Sequence, residues 1–122
     1  MKHSSLIAFL DGELSPSQFS DEIAAEVDEC AIALKTTGHG RIFVTDGPET
    51  ILTRARARRL LVAVADQILS SDAASYVADC IIMGHTFEWE DEMVGEAVHF
   101  LADGDNRLLP ATEIRGHLLG LG

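Results

Sequence analysis

Positive charge is the scarcest commodity in this chain of 122 residues: it carries 9 Lys and Arg against 20 Asp and Glu, a formal net charge of −11. Neutralising phosphates requires clustered cations, so the balance argues against nucleic-acid binding and against an anionic membrane surface. Cysteine is nearly missing too. Cys30 and Cys80 stand far apart, without a metal-type C-x-x-C, each among apolar neighbours, which reads as two reduced core thiols of a cytoplasmic protein. No apolar run approaches the roughly 18 residues a membrane span needs, and the amino-terminal apolar stretch, Leu6 to Leu10, holds only five. Neither export nor anchoring is signalled.

Also missing are the short motifs of common catalytic sites. Ser, His and Asp are present, but no nucleophile elbow, no phosphate-cradling glycine loop and no H-E-x-x-H occurs. Gly38-His39-Gly40 puts one histidine in a flexible loop, a weak signal that a plain turn explains better. The chain therefore reads as non-catalytic, with no cofactor and no bound metal.

What is present is apolar substance. Hydrophobic residues make up 47% of the chain, enough for one core at a length that suits one domain spanning residues 1–122. Their spacing is helical. Leu6 to Leu10 leads into Gly12, which stops a first segment. Ser15, Pro16 and Gln18 then supply an N-cap, a first helical position needing no amide, and a capping-box partner. Phe19, Ile23, Val27, Cys30 and Leu34 form one stripe of a helix over about 16–35, with Asp21, Glu22, Asp28 and Glu29 opposite and Glu26 at the border.

After a break at 36–40, Arg41 to Thr45 is rich in β-formers, Asp46-Gly47-Pro48 makes a turn, and Glu49 to Leu52 can return as a partner strand. Thr53 caps a third helix carrying Ala57, Leu60, Leu61, Val64 and Ile68. Ser70 or Ser71 caps a fourth with Tyr76, Val77, Cys80, Ile81 and Ile82. A fifth follows Trp89 and buries Met93, Val94, Ala97, Val98 and Leu101, and a short last helix covers about 110–119. The fold class expected is mainly α: a compact bundle of five or six helices with one short β-hairpin at about 41–52. The likeness of Leu10 to Pro16, Ala65 to Ser71 and Ala102 to Pro110 reads as recurrent turn chemistry rather than a fixed-period repeat, because the offsets are unequal.

Several clusters merit a functional reading beside a structural one. Asp103-Gly104-Asp105-Asn106-Arg107 begins like a calcium loop, but its fifth position is Arg107, its sixth is Leu108 where Gly is needed, and Glu113 falls one short of the twelfth. An interhelical turn explains it better. Glu96 and His99 have the E-x-x-H spacing of di-iron bundles, with Glu92 one turn earlier, but the chain has no second such pair, and all three sit away from the apolar stripe. Arg54, Arg56, Arg58 and Arg59 crowd a helix start, where the dipole disfavours cations. Pairing with acids of the same domain is the expected compensation.

The segment Phe87-Glu88-Trp89-Glu90-Asp91-Glu92 joins the only Trp to a second aromatic ring and four carboxylates. Its structural reading is an aromatic staple with acids at a helix start. Its functional reading is an interface anchored by Trp89, with Phe87, Glu88, Glu90, Asp91, Glu92 and Glu96 around it for a basic partner.

In size, acidity and helical layout, with Asp11-Gly12-Glu13-Leu14-Ser15-Pro16 and Phe87 to Glu92 as its most suggestive stretches, the chain resembles the small cytoplasmic bacterial immunity proteins. That resemblance implies a non-catalytic inhibitor that neutralises a toxin by covering its basic active surface, using acidic helices near Glu22 to Glu29 and Glu88 to Glu96. The alternatives are a self-associating adaptor that forms a homodimer, and a metal-dependent or acid–base enzyme using His99, Glu96, Glu92 or His39.

Overall fold

A computed structural model describes residues 3–37, 49–83, 87–102 and 111–121. Six helices and two short strands occur there: α1 (His3–Leu10), α2 (Pro16–Thr37), β1 (Thr50–Leu52), α3 (Arg54–Ala65), α4 (Ser71–Met83), β2 (Phe87–Trp89), α5 (Glu92–Ala102) and α6 (Ala111–Gly120). The mainly helical architecture follows the apolar spacing. Phe19, Ile23 and Val27 from α2, Leu60, Leu61 and Val64 from α3, Val77 and Ile81 from α4, and Val94, Ala97 and Leu101 from α5 are all buried in one cluster. Met93, expected inside, is only partly buried at its margin. Helix α4 packs against α2 and α5, while α3 packs against α1, α5 and α6.

Polar side chains start the helices where expected. The Gln18 amide donates to Ser15 Oγ (3.2 Å) and the Ser15 amide to Gln18 Oε1 (3.4 Å), a reciprocal capping box for α2. Thr53 Oγ1 accepts from the Arg56 amide (3.2 Å) at α3, and Ser70 Oγ accepts from the Ala73 amide (3.1 Å) at α4. Both cysteines are thiols and both are buried. Burial pushes the Cys80 thiol up to about 12, so at neutral pH it is a small apolar group, not a nucleophile.

The sheet differs from the expected hairpin. β1 occupies the expected returning arm, yet it pairs in parallel with β2, matching Thr50 to Phe87, Ile51 to Glu88 and Leu52 to Trp89. The outgoing arm at 41–45 and its turn lie outside the described residues, as do the 38–40 loop and the 103–107 turn. Parallel pairing is open to β1 because α3 and α4 cross over between the two strands, the kind of long connection that parallel strands require. Phe87 and Trp89 are therefore strand residues, with Phe87 tilted against the buried His3 ring at 5.5 Å. Among the described residues no helix is long and apolar enough to cross a membrane.

Candidate functional site

The acidic segment after β2 divides into two pairs with different duties. Glu90 and Asp91 are spent inside the molecule. Glu90 Oε2 accepts from the Arg54 amide (2.8 Å), stabilising the first turn of α3, and its own amide donates to the Leu52 carbonyl (3.1 Å). Asp91 Oδ1 accepts from the Val94 amide (3.2 Å) as the N-cap of α5, while Oδ2 receives Arg54 Nε at 2.5 Å. One dipeptide thus ties down the starts of two helices.

The Arg54 hydrogen bond, reinforced by the Val94 amide, holds the Asp91 carboxyl below the usual carboxylate range. A lowered folded value stabilises the fold above the ordinary carboxylate pKa. This contribution fades as pH falls through the lowered value.

Glu92 and Glu96 are not spent. They occur one turn apart on α5, both exposed, and among the described residues neither makes an ion pair. With Trp89, Gly95, His99 and Phe100 they line an open hollow of about 590 Å³. Its floor depends on a glycine. A Cβ on Gly95 would lie 3.1 Å from Trp89 Cδ1 and 3.2 Å from Nε1, so the missing side chain lets the indole lie down on α5. His99 meets the indole edge-on at 6.1 Å, and Phe100 stacks on His117 of α6 at 4.5 Å. Trp89 is half-buried, and its indole N–H has no hydrogen-bond partner among the described residues.

Phe87 and Glu88 belong to the same strand but not to this hollow. Phe87 packs on the core and Glu88 is exposed. Of the seven residues singled out in the sequence, the structure gathers Trp89, Glu92 and Glu96. Gly95, His99 and Phe100 join them as members that the interface reading did not contain. Their sequence signal was the helical spacing 92, 95/96, 99 on the side of α5 that follows Trp89. No hydrogen bond joins His99 to Glu92 or Glu96, and among the described residues no group of three or more His, Cys, Asp or Glu side chains is placed to hold a metal ion.

The arginine cluster divides likewise. Arg54 pairs with Asp91, and Arg56 grips Asp11 through Nε (2.8 Å) and Nη2 (3.3 Å) while Nη1 donates to the Ile51 carbonyl (2.8 Å). Arg58 and Arg59 make no ion pair among the described residues. On the acidic face of α2, Glu22 accepts from Ser5 Oγ (2.6 Å) and Glu26 from the Tyr76 hydroxyl (3.3 Å), whereas Asp21, Asp28 and Glu29 are exposed.

Comparison with protein-family models, curated proteins and solved structures finds no match. The reading of this hollow therefore rests on its chemistry. It offers an electron-rich indole face and two carboxylates that make no ion pair among the described residues, on a molecule of net charge −11, a combination suited to a guanidinium or ammonium group.

Proposed function

We propose that this chain is a non-catalytic binding protein that holds a basic protein partner by seating one of its Arg or Lys side chains in the Trp89–Glu92–Glu96 hollow. The observation that carries this reading is the division of labour among the acids: Glu90 and Asp91 are consumed as helix caps, while Glu92 and Glu96 flank an aromatic floor and make no ion pair among the described residues. Magnitudes favour the indole as the anchor. An exposed ion pair contributes at most about 1 kcal/mol, whereas aromatic anchors dominate interface energies. The carboxylates chiefly accelerate and orient the encounter. The immunity-type inhibitor is the stronger form of this proposal, in which the partner is a toxin and the seated side chain belongs to its basic active surface.

Trp89 is the only Trp of the chain and reports on its own site. Titration with an arginine-rich peptide, followed by its fluorescence, is expected to saturate, to weaken as salt rises, and to lose at least tenfold in affinity in Glu92→Gln/Glu96→Gln. A response that is the same in this variant removes the hollow from the interface.

A second reading, self-association as a homodimer, draws on the exposure of Leu119 (82%), Met83 and Ile32. Light scattering separates the two. A stable dimer that persists in high salt and is lost on Leu119→Ser favours self-association, and a monomer favours the basic partner.

A further inference from the structure

Away from the acidic hollow, two adjacent arginines make no ion pair among the described residues. Arg58 and Arg59 line a second hollow of about 400 Å³ with Phe9, Gly12, Leu14, Ala55 and Val62. This volume falls within the range of small-molecule sites. The walls are apolar on both sides, from Phe9 and Leu14 around the α1–α2 turn and from Ala55 and Val62 on α3.

Arg59 is exposed, and it reaches back across the α1–α2 turn. Its guanidinium lies over Gly12, so close that a Cβ there would stand 2.6 Å from Nη1 and 2.7 Å from Cζ. The glycine, at φ +81°, makes the turn and leaves the space the guanidinium occupies. A guanidinium has five N–H donors, and among the described residues those of Arg58 and Arg59 meet no ion-pair partner, although the chain holds 20 acids. Arg54 and Arg56, four and two positions before Arg58, each have a carboxylate.

From this contrast we infer that the Arg58–Arg59 hollow is a binding site for a small monocarboxylic acid with an apolar body, its carboxylate on the two guanidiniums and its hydrocarbon between Phe9, Leu14 and Val62. Planar guanidinium matches carboxylate in a two-pronged geometry. The field of a −11 molecule opposes polyanions far more than a single charge, which sets nucleic acids and polyphosphates aside. Apolar walls then favour an organic acid over an inorganic anion.

The test is calorimetric titration of the full chain with decanoate below its micellar concentration, beside acetate, inorganic phosphate and decyltrimethylammonium. The expected result is saturation at one decanoate per chain. Acetate, phosphate and the cationic amphiphile should bind at least tenfold more weakly. Arg58→Gln/Arg59→Gln should weaken decanoate at least tenfold, and so should Val62→Asp, which puts a carboxylate at the half-exposed rim. Both variants are checked for native circular dichroism. Trp89→Ala should leave decanoate binding unchanged, which separates this site from the acidic hollow. Non-saturating uptake, equal binding of acetate or of the cationic amphiphile, or full affinity in the Arg58→Gln/Arg59→Gln variant would each overturn the assignment. So would a peptide ending in a free Leu carboxylate that binds more tightly than decanoate.

Discussion

The turn after α1 and the turn after α3 are one structure built twice, at an offset of 55 residues. Asp11 donates to the Ile7 carbonyl and Asp66 to Val62, Gly12 to Phe9 and Gln67 to Val64, Glu13 and Leu14 to Ala8, and Ile68 and Leu69 to Ala63, every bond between 2.8 and 3.1 Å. Each turn places one residue in the left-handed region, Gly12 at φ +81° and Gln67 at φ 62°. Each is followed by a serine N-cap, Ser15 or Ser70. What differs is the occupant of the left-handed position and the depth of the leucine two residues on. The hydrogen-bond pattern thus makes the turn, and glycine is only the least costly residue to occupy it. At the first turn, glycine has the additional task of leaving room for the Arg59 guanidinium.

Six substitutions at three corresponding positions sharpen the comparison, beginning with the pair that holds the largest expected effect. Leu69 is buried and Leu14 only partly so. Leu69→Ala should cost about 2–5 kcal/mol in urea unfolding, and Leu14→Ala about 1 kcal/mol, since less of it leaves water on folding. Gly12→Gln, which gives the first turn the residue of the second, should cost about 1–2 kcal/mol from the left-handed backbone and displace Arg59. Equal stability of that variant and the parent would break the argument that Gly12 is needed there. Ser15→Ala and Ser70→Ala should each lose about 1 kcal/mol, and a difference between them would measure what Gln18 adds to the first cap. Gln67→Gly should gain less than about 1 kcal/mol, because relief of the left-handed backbone is partly offset by the freer unfolded chain. A loss at this position would mean that the Gln67 side chain contributes more than its backbone costs.

The same pair of turns shows how far the residues alone lead. Ser15, Gln18, Thr53 and Ser70 announced their helices because capping is local chemistry, and the stripes through Phe19, Leu60, Val77 and Val94 announced the core because helical burial repeats over many residues. Gln67 was silent, since nothing in its type signals a left-handed backbone. The parallel partnership of β1 and β2 was equally hidden. Three-residue strands carry too little periodicity to read, and their pairing is decided by how α3 and α4 fold between them.

At the site, Trp89 and its acids stood out by composition. The separation of Glu90 and Asp91, which cap helices, from Glu92 and Glu96, which face the hollow, is a matter of geometry that adjacent carboxylates do not reveal. The arginines behaved alike: four in six positions, two answered by Asp91 and Asp11 and two with no ion pair among the described residues.

The parallel pairing bears on the order of assembly. Its registered partners, Thr50 and Phe87, lie 37 positions apart, and ordering that much chain must precede the few bonds a three-residue ladder returns. Turns and helix pairs near in sequence can form early, whereas the ladder that aims Trp89 must wait for two helices to be in place. In a stopped-flow refolding experiment, the indole signal should therefore trail the far-ultraviolet helical signal, and the acidic hollow should be among the last parts of the molecule to become competent.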